Sequence, residues 1–218
     1  MDDYTMLTEK RVGLLVNILE NKDKKWSINA ISKSLDLSYP TCYDFVYELL
    51  KLGYIKKSNG GFSVVDTNAM IDYISKSYPF VSREKACFYA TDNNLNKMDL
   101  IKNTGLMYAF TLFTGGELLH PYVHTDKIYL YVKKSELGNW EEMFIKKIIR
   151  KSTEEEANII LLPTEHEFYF KFSKMVNNSR IAPLSILISD LISTGSLGKQ
   201  QGEIILDKWI KGEMELNG

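Results

Sequence analysis

The sequence predicts an α+β protein of two domains: an N-terminal helical domain that ends in a β-hairpin, and a larger mixed α/β domain. The first observation is a run of three amphipathic helical segments followed by two short alternating strands. The second is a change after Pro79, beyond which apolar strand-like runs are mixed with helical segments. The predicted boundaries are 1–66 for the first domain, 67–79 for a connecting helix and 80–218 for the C-terminal domain.

The three N-terminal helices are predicted from apolar spacing and from residues that favour helix ends. Apolar residues recur at helical spacing from about Thr8 to Asn21. Ser27 can cap a second, short helix, and Ser38 can cap a third with Pro40 in its first turn. Gly53 then ends the third helix. The residues expected to be buried along the third helix are Phe45, Val46, Leu49 and Leu50.

A β-hairpin is predicted directly after these helices. Tyr54 to Lys57 and Phe62 to Val65 alternate as two antiparallel strands, and the segment 58–61, Ser-Asn-Gly-Gly, supplies the turn. Three helices followed by a hairpin form the winged-helix arrangement, in which helices two and three are a helix-turn-helix. We therefore expect Lys56 and Lys57 to lie where a wing meets the DNA backbone.

Tyrosine and threonine side chains on the third helix are expected to face the major groove of double-stranded DNA, where they can read base edges, thymine methyl groups and phosphates. The predicted DNA-binding residues are Tyr39, Thr41, Tyr43, Tyr47, Lys51, Lys56, Lys57 and Asn59. Asp44 and Glu48 lie on the same face and repel phosphate. A protein-contact surface is the alternative, because aromatic residues are also enriched at protein interfaces.

Charge gives this region a modest basic character. Between Thr8 and Gly61 there are nine basic residues and six acidic residues, a local charge of +3. The whole chain of 218 residues has a formal net charge of −1, so nucleic-acid binding has to come from such a local patch.

The N-terminal segment LDLSYPTCYDFVYELLKLGYIKK resembles winged-helix transcription regulators of the multiple-antibiotic-resistance type. The similarity runs through the Leu-Ser turn, the Pro-Thr opening of the third helix, its Leu-Leu-Lys-Leu-Gly-Tyr-Ile exit and the wing, and it covers roughly residues 8–66. It implies the winged-helix fold and DNA binding.

The C-terminal domain is predicted from shorter patterns. The predicted strands are Lys85 to Tyr89, Lys127 to Val132, Asn158 to Leu162 and Glu167 to Phe172. The predicted helices are Met98 to Leu119, which the Thr-Gly pair at 104–105 can break, Trp140 to Lys151, Pro183 to Ser193 and Lys199 to Lys211. The connecting helix, Thr67 to Tyr78, is amphipathic and can supply a contact in the homodimer that winged-helix regulators usually form.

No catalytic constellation is recognisable, so we expect no enzyme activity, no metal and no cofactor. His120 and His124 have metal-ligand spacing only on a helix, and Pro121 between them argues against one. Two alternatives stay open. A nuclease-like C-terminal domain would make the chain a nucleic-acid-processing enzyme, with Asp126, Glu165 and Lys171 as nominal candidates. An aromatic-rich domain that binds a small molecule would make it a ligand-responsive regulator.

Compartment follows from cysteine usage and hydropathy. Cys42 and Cys87 have neither metal nor redox spacing, which indicates a reduced environment. The N-terminus lacks a signal-peptide pattern, and no apolar run approaches the length of a membrane span. We expect a cytoplasmic protein without a membrane partner.

Two C-terminal segments resemble the AbiEi family, the antitoxin half of type IV toxin–antitoxin systems. They are NTGLMYAFTLFTGGELLHPYVHTDKIYLYV and IAPLSILISDLISTGSLGKQQGEIILDKW. The first has a Thr-Gly-led helix, a histidine and a strand; the second has a Pro-Leu opening, an Asp-Leu pair, a glycine loop and a final helix. The resemblance implies a transcription regulator that represses its own operon and counteracts a nucleotidyltransferase-like toxin.

Overall fold

The chain is a mixed α+β protein, and the computed structural model describes residues 6–92 and 96–214. It divides into two compact units, Met1–Pro79 and Phe80–Gly218. Within the described ranges, no helix is both long enough and apolar enough to cross a membrane.

The described part of the N-terminal unit, from Met6 onward, contains four helices and one hairpin. Its elements are α1 (Glu9–Glu20), α2 (Ile28–Leu35), α3 (Tyr39–Lys51), β1 (Ile55–Ser58), β2 (Gly61–Val64) and α4 (Thr67–Ser77). The predicted serine caps are present: Ser27 Oγ accepts from the Ala30 amide and Ser38 Oγ from the Thr41 amide. Each predicted element is confirmed to within two residues.

The core of this unit is formed by the apolar faces of its helices. On α3, Phe45, Val46 and Leu49 are buried as predicted. Leu50 is only half-buried, and Cys42, one turn before Val46, is buried instead.

The β1–β2 hairpin is joined by a third piece of extended chain. Trp26 pairs with Phe62: each backbone amide donates to the other residue's carbonyl, at 3.1 and 2.8 Å. Their rings stack, with centroids 5.2 Å apart. Gly61 permits this approach, because a Cβ there would collide with the Trp26 carbonyl. The segment before α2 is thereby fixed against the hairpin.

Helix α4 corrects one expectation. Its apolar residues Met70, Ile71 and Ile74 are fully buried, so its apolar face is not available as a dimer contact. The helix packs against α1, and the Tyr78 hydroxyl beyond its end donates to Glu9 at 2.7 Å.

The C-terminal unit is built on a seven-stranded mixed sheet. Its elements in chain order are β3 (Ala86–Ala90), α5 (Lys97–Lys102), β4 (Tyr108–Phe110), α6 (Leu112–Leu119), β5 (Ile128–Lys133), α7 (Leu137–Lys146), β6 (Ile149–Lys151), β7 (Ile159–Thr164), α8 (Phe168–Lys171), β8 (Lys174–Val176), β9 (Ser179–Ile181), α9 (Leu184–Ile192) and α10 (Ser196–Lys211). The strand order is β6-β3-β7-β5-β4-β9-β8. The pairs β5–β7 and β4–β9 are parallel, and the other pairs are antiparallel.

Two predicted helices contain strands. The predicted helix Met98 to Leu119 is two helices with β4 between them, and Phe110 of β4 is fully buried between β5 and β9. The predicted helix Trp140 to Lys151 ends at Lys146, because Ile148 takes a left-handed backbone conformation (φ +58°) and the chain then pairs with β3.

The predicted strand Glu167 to Phe172 is wrong. The segment forms the short helix α8, in which Phe168, Tyr169 and Phe170 are all buried in succession. A half-buried strand would bury alternate residues, so the alternating sequence pattern was misleading here. The hairpin β8–β9 was not predicted, although its turn residues Asn177 and Asn178 (φ +47° and +57°) are of the type that favours tight hairpins.

Candidate nucleic-acid interface

Three tyrosines form a ridge along the outward face of α3. Tyr39, Tyr43 and Tyr47 are four residues apart, which places them on one side of a helix. Their side chains are exposed, and the ring centroids lie 6.1 Å apart for the first pair and 4.4 Å for the second. We call these three residues the tyrosine ridge. It offers a continuous aromatic surface of about two helical turns.

The Tyr43 hydroxyl is influenced by its neighbour on the ridge, Tyr47. The pKa of Tyr43 is raised, chiefly by a hydrogen bond with the Tyr47 side chain. The Tyr43 phenol therefore stays neutral at physiological pH, and it can still donate or accept further hydrogen bonds. The ridge presents polar hydroxyl tips and carbon ring edges.

Thr41 does not belong to the ridge. Each residue turns about 100° around a helix, so Thr41 lies about 160° from Tyr43. Its hydroxyl is 2.7 Å from Ser38 Oγ, within the cap of the helix. Thr41 therefore does not face the same groove as the tyrosine ridge, and its hydroxyl belongs to the cap of the helix.

The two acids of α3 differ in their surroundings. Glu48 forms an ion pair with Arg11 at 3.2 Å and accepts a hydrogen bond from the Tyr73 hydroxyl at 3.1 Å. Burial, followed by the Glu48 charge, raises the pKa of Tyr73 to about 12, so this hydroxyl stays a donor. Glu48 is thus compensated inside the unit. Asp44 is exposed, and no hydrogen bond or ion pair joins it to another described residue.

The basic residues of the candidate interface lie at the end of α3 and on the hairpin. Lys51 is exposed in the last turn of α3, and Asn59 is exposed at the hairpin tip. Lys56 and Lys57 are exposed too, but consecutive strand residues point to opposite faces. Only one of these two lysines can therefore contribute to a single phosphate-binding surface.

Lys25 was missed by sequence reasoning. Its ammonium donates to the Asn59 carbonyl at 3.2 Å, which brings a further positive charge to the hairpin tip. The pairing of Trp26 with Phe62 places Lys25 there. The lysine-rich run before Trp26 was a visible signal, but its position depends on a contact between residues 34 apart.

The nuclease candidates do not come together. Asp126 precedes β5, whereas Glu165 and Lys171 follow β7. The strands β5 and β7 are parallel and pair along six residues each, from Ile128 opposite Ile159 to Lys133 opposite Thr164. Asp126 therefore lies at one end of this pair of strands, and Glu165 and Lys171 follow its other end. Six strand residues separate the two ends by roughly 20 Å. No group of three histidine, cysteine, aspartate or glutamate side chains in the described part of the chain is arranged to hold a metal ion.

The histidines have other contacts. His120 follows the last residue of α6, and its Nδ1 lies 3.1 Å from Lys208 Nζ. His124 Nδ1 lies 2.7 Å from a Glu117 carboxylate oxygen. Their side chains thus face different groups rather than a common ligand.

A cleft lies at the carboxyl ends of β5 and β7, where open α/β sheets often bind ligands. It measures about 160 Å³ and is lined by Lys133, Thr164, Glu167 and Phe170, among others. Ligand pockets are usually about 300–1,000 Å³, and Lys133 is already paired with Glu167 at 2.7 Å. This cleft gives the small-molecule alternative little support, whereas two other clefts of the same unit, of about 470 and 330 Å³, lie within that range.

A cluster of hydrogen-bonded and charged side chains is buried in the C-terminal unit. Asp190 on α9 has no solvent exposure and forms an ion pair with Arg83 at 2.6 Å. It also accepts hydrogen bonds from Thr111 at 2.7 Å and Tyr131 at 2.8 Å. Burial raises the pKa of Asp190, and Arg83 and Thr111 oppose that shift. The Asp-Leu pair of α9 is visible in the sequence, but these partners come from three separate segments and are not.

Comparison of the chain with protein-family models, with curated proteins and with solved structures found no significant match in any of the three.

Proposed function

We propose that this chain is a sequence-specific, double-stranded DNA-binding transcription regulator whose N-terminal unit acts as a winged helix. In this proposal α2 and α3 are the helix-turn-helix, α3 enters the major groove and the β1–β2 hairpin is the wing. The observation that carries it is the exposed tyrosine ridge on α3, in the same unit as a lysine-bearing hairpin. The compensation of Glu48 by Arg11 supports it further, because one of the two acids on α3 then repels phosphate less.

The two kinds of contact have separate roles. Lys51, Lys25 and one of the hairpin lysines would neutralise phosphates, which provides affinity without sequence information. The tyrosine ridge would contact base edges, which provides sequence preference. This division allows the two roles to be tested by separate variants.

The resemblance of the two C-terminal segments to AbiEi antitoxins supports a more specific proposal. The protein would repress its own operon and counteract a nucleotidyltransferase-like toxin, as a non-enzymatic cytoplasmic protein. We also propose that it acts as a homodimer, through a surface other than the buried face of α4. Light scattering measures the molar mass of the protein, both free and bound to DNA. A mass that corresponds to a single protomer in both states would contradict the dimer.

DNA binding can be tested with the DNA upstream of the gene. Fluorescence anisotropy would compare labelled duplexes from that region with duplexes of the same composition in scrambled order. We expect at least one upstream duplex to bind about a thousandfold or more tightly than its scrambled partner at physiological salt. Equal binding of both would contradict sequence-specific recognition, and no binding would contradict the proposal altogether.

The hairpin lysines supply the first mutational prediction. Replacing Lys56 and Lys57 with alanine should weaken binding to upstream and scrambled duplexes by the same factor, because phosphate contacts are independent of sequence. The slope of log K against log salt should fall by about one, since one of the two lysines faces phosphate. Anisotropy titrations over a range of salt concentrations measure both effects.

A matched control is available in the C-terminal unit. Lys146 and Lys147 are also consecutive and exposed, and their replacement by alanine changes the net charge equally. That variant should retain the wild-type salt dependence. If both variants altered it to the same extent, the hairpin would have no special role.

A further inference from the structure

The outward face of α3 has an unusual set of groups for reading bases. The helix contains no arginine, asparagine or glutamine, the side chains that most often read guanine and adenine. Its exposed residues are Tyr39, Pro40, Thr41, Tyr43, Asp44, Tyr47 and Lys51. Since Lys51 lies in the last turn of the helix and is assigned to phosphate, discrimination among bases has to come from aromatic rings, hydroxyl groups and one carboxylate.

Asp44 lies beside the tyrosine ridge. It is about 60° around the helix from Tyr47, and it follows Tyr43 directly in sequence. Any base pair that its carboxylate reached would therefore neighbour those contacted by the rings. Unlike Glu48, it has no compensating cation or hydroxyl among the described residues.

An uncompensated carboxylate in a major groove needs a donor. It loses water on binding and is repelled by the phosphates, so it weakens association unless a base supplies hydrogens. The major groove offers such donors only at the N4 amino group of cytosine and the N6 amino group of adenine, and aspartate and glutamate pair with cytosine N4. Guanine and thymine present only acceptors, together with the thymine methyl group, at the corresponding edges.

We infer that Asp44 is a specificity-determining residue that accepts a hydrogen bond from the N4 amino group of a cytosine, next to bases read by the tyrosine ridge. This inference rests on the proposed function, because it presumes that α3 enters the major groove. In this role the Asp44 carboxylate weakens binding to most DNA sequences and favours the sequence that places a cytosine opposite it.

The test begins with selection of tight binders from a duplex library with a randomised core, using the full-length protein. Each C·G pair of the selected site is then changed to T·A, which replaces the cytosine N4 donor by the thymine O4 acceptor and moves the amino donor of the pair to adenine on the other strand. We expect one position at which this change weakens wild-type binding about tenfold or more. In the Asp44→Ala variant the same change should alter the affinity by less than about twofold.

Asp23→Ala is the matched control, since it removes one exposed acid from the same unit. It should keep the wild-type preference at that position. If Asp44→Ala instead tightened binding to every sequence equally and kept the cytosine preference, Asp44 would only repel DNA and the inference would be wrong. Failure of the library to yield any bound sequence would contradict the proposed function itself, and the inference with it.

Discussion

Replacing Asp190 with alanine should destabilise the C-terminal unit by about 3–5 kcal/mol, because it removes one partner of a buried ion pair. Asp190 has no solvent exposure, and the Arg83 side chain is only 6% exposed. The buried Arg83 guanidinium would lose the Asp190 carboxylate, and the hydroxyls of Thr111 and Tyr131 would lose their acceptor. Chemical denaturation followed by circular dichroism measures the change in the free energy of unfolding.

Two further variants separate this effect from a general loss of charge. Asp207→Ala breaks an exposed pair with Lys211, and such surface pairs contribute only about 0–1 kcal/mol. Replacing Arg83 and Asp190 together by methionine and leucine should cost less than Asp190→Ala, because no charge is left uncompensated. A cost below about 1 kcal/mol for Asp190→Ala would mean that the cluster does not stabilise the unit in this way.

Replacing Tyr43 and Tyr47 together with alanine should remove most of the sequence preference. Roughly 1–3 kcal/mol of specific affinity should be lost for each base contact, whereas binding to scrambled duplexes should change little. Both side chains are exposed, so the free energy of unfolding should change only slightly. Anisotropy titrations with the upstream duplex and its scrambled partner provide the comparison.

Phenylalanine at the same two positions separates ring contacts from hydroxyl contacts. The Tyr43→Phe, Tyr47→Phe variant keeps the aromatic surface and should retain any affinity that comes from thymine methyl groups. Thr41→Ala should have little effect on DNA binding, because Thr41 lies on another side of α3. Unchanged specific binding in the double alanine variant would favour the protein-contact surface, for which exposed tyrosines are equally suited.

The N-terminal elements could be predicted from the sequence because their ends are encoded locally. Ser27 and Ser38 each cap the helix that follows, and Gly53, with φ +75°, follows the end of α3. Such signals act within a few residues, so they are legible without knowledge of the rest of the fold.

The C-terminal unit was less predictable because its elements depend on distant partners. The strand β4 has only three residues and is defined by β5 and β9, which lie on either side of it in the sheet. The aromatic residues 168–170 are consecutive and are all buried on a short helix. The segment predicted as a strand, Glu167 to Phe172, has six residues, too few for hydrophobic periodicity to indicate that helix. Short elements of this kind are selected by tertiary packing rather than by their own sequence.

In the candidate interface too, features that depend on local sequence could be predicted, and features that depend on distant contacts could not. The exposure of the tyrosine ridge follows from helical spacing alone, and it was predicted. The contacts of Glu48 with Arg11 and Tyr73, and of Lys25 with Asn59, join residues far apart in the chain. These contacts determine which charges remain available to a nucleic acid, and no local pattern reveals them.

Tyrosine-ring NMR tests most directly the proposed contact between the outward face of α3 and DNA. The full-length protein, with ¹³C-labelled tyrosine rings, would be titrated with the tightest-binding duplex. We predict that the resonances of Tyr39, Tyr43 and Tyr47 shift, whereas those of the buried Tyr131 and Tyr169 do not. Saturable DNA binding that leaves all three ridge resonances unmoved would contradict the claim.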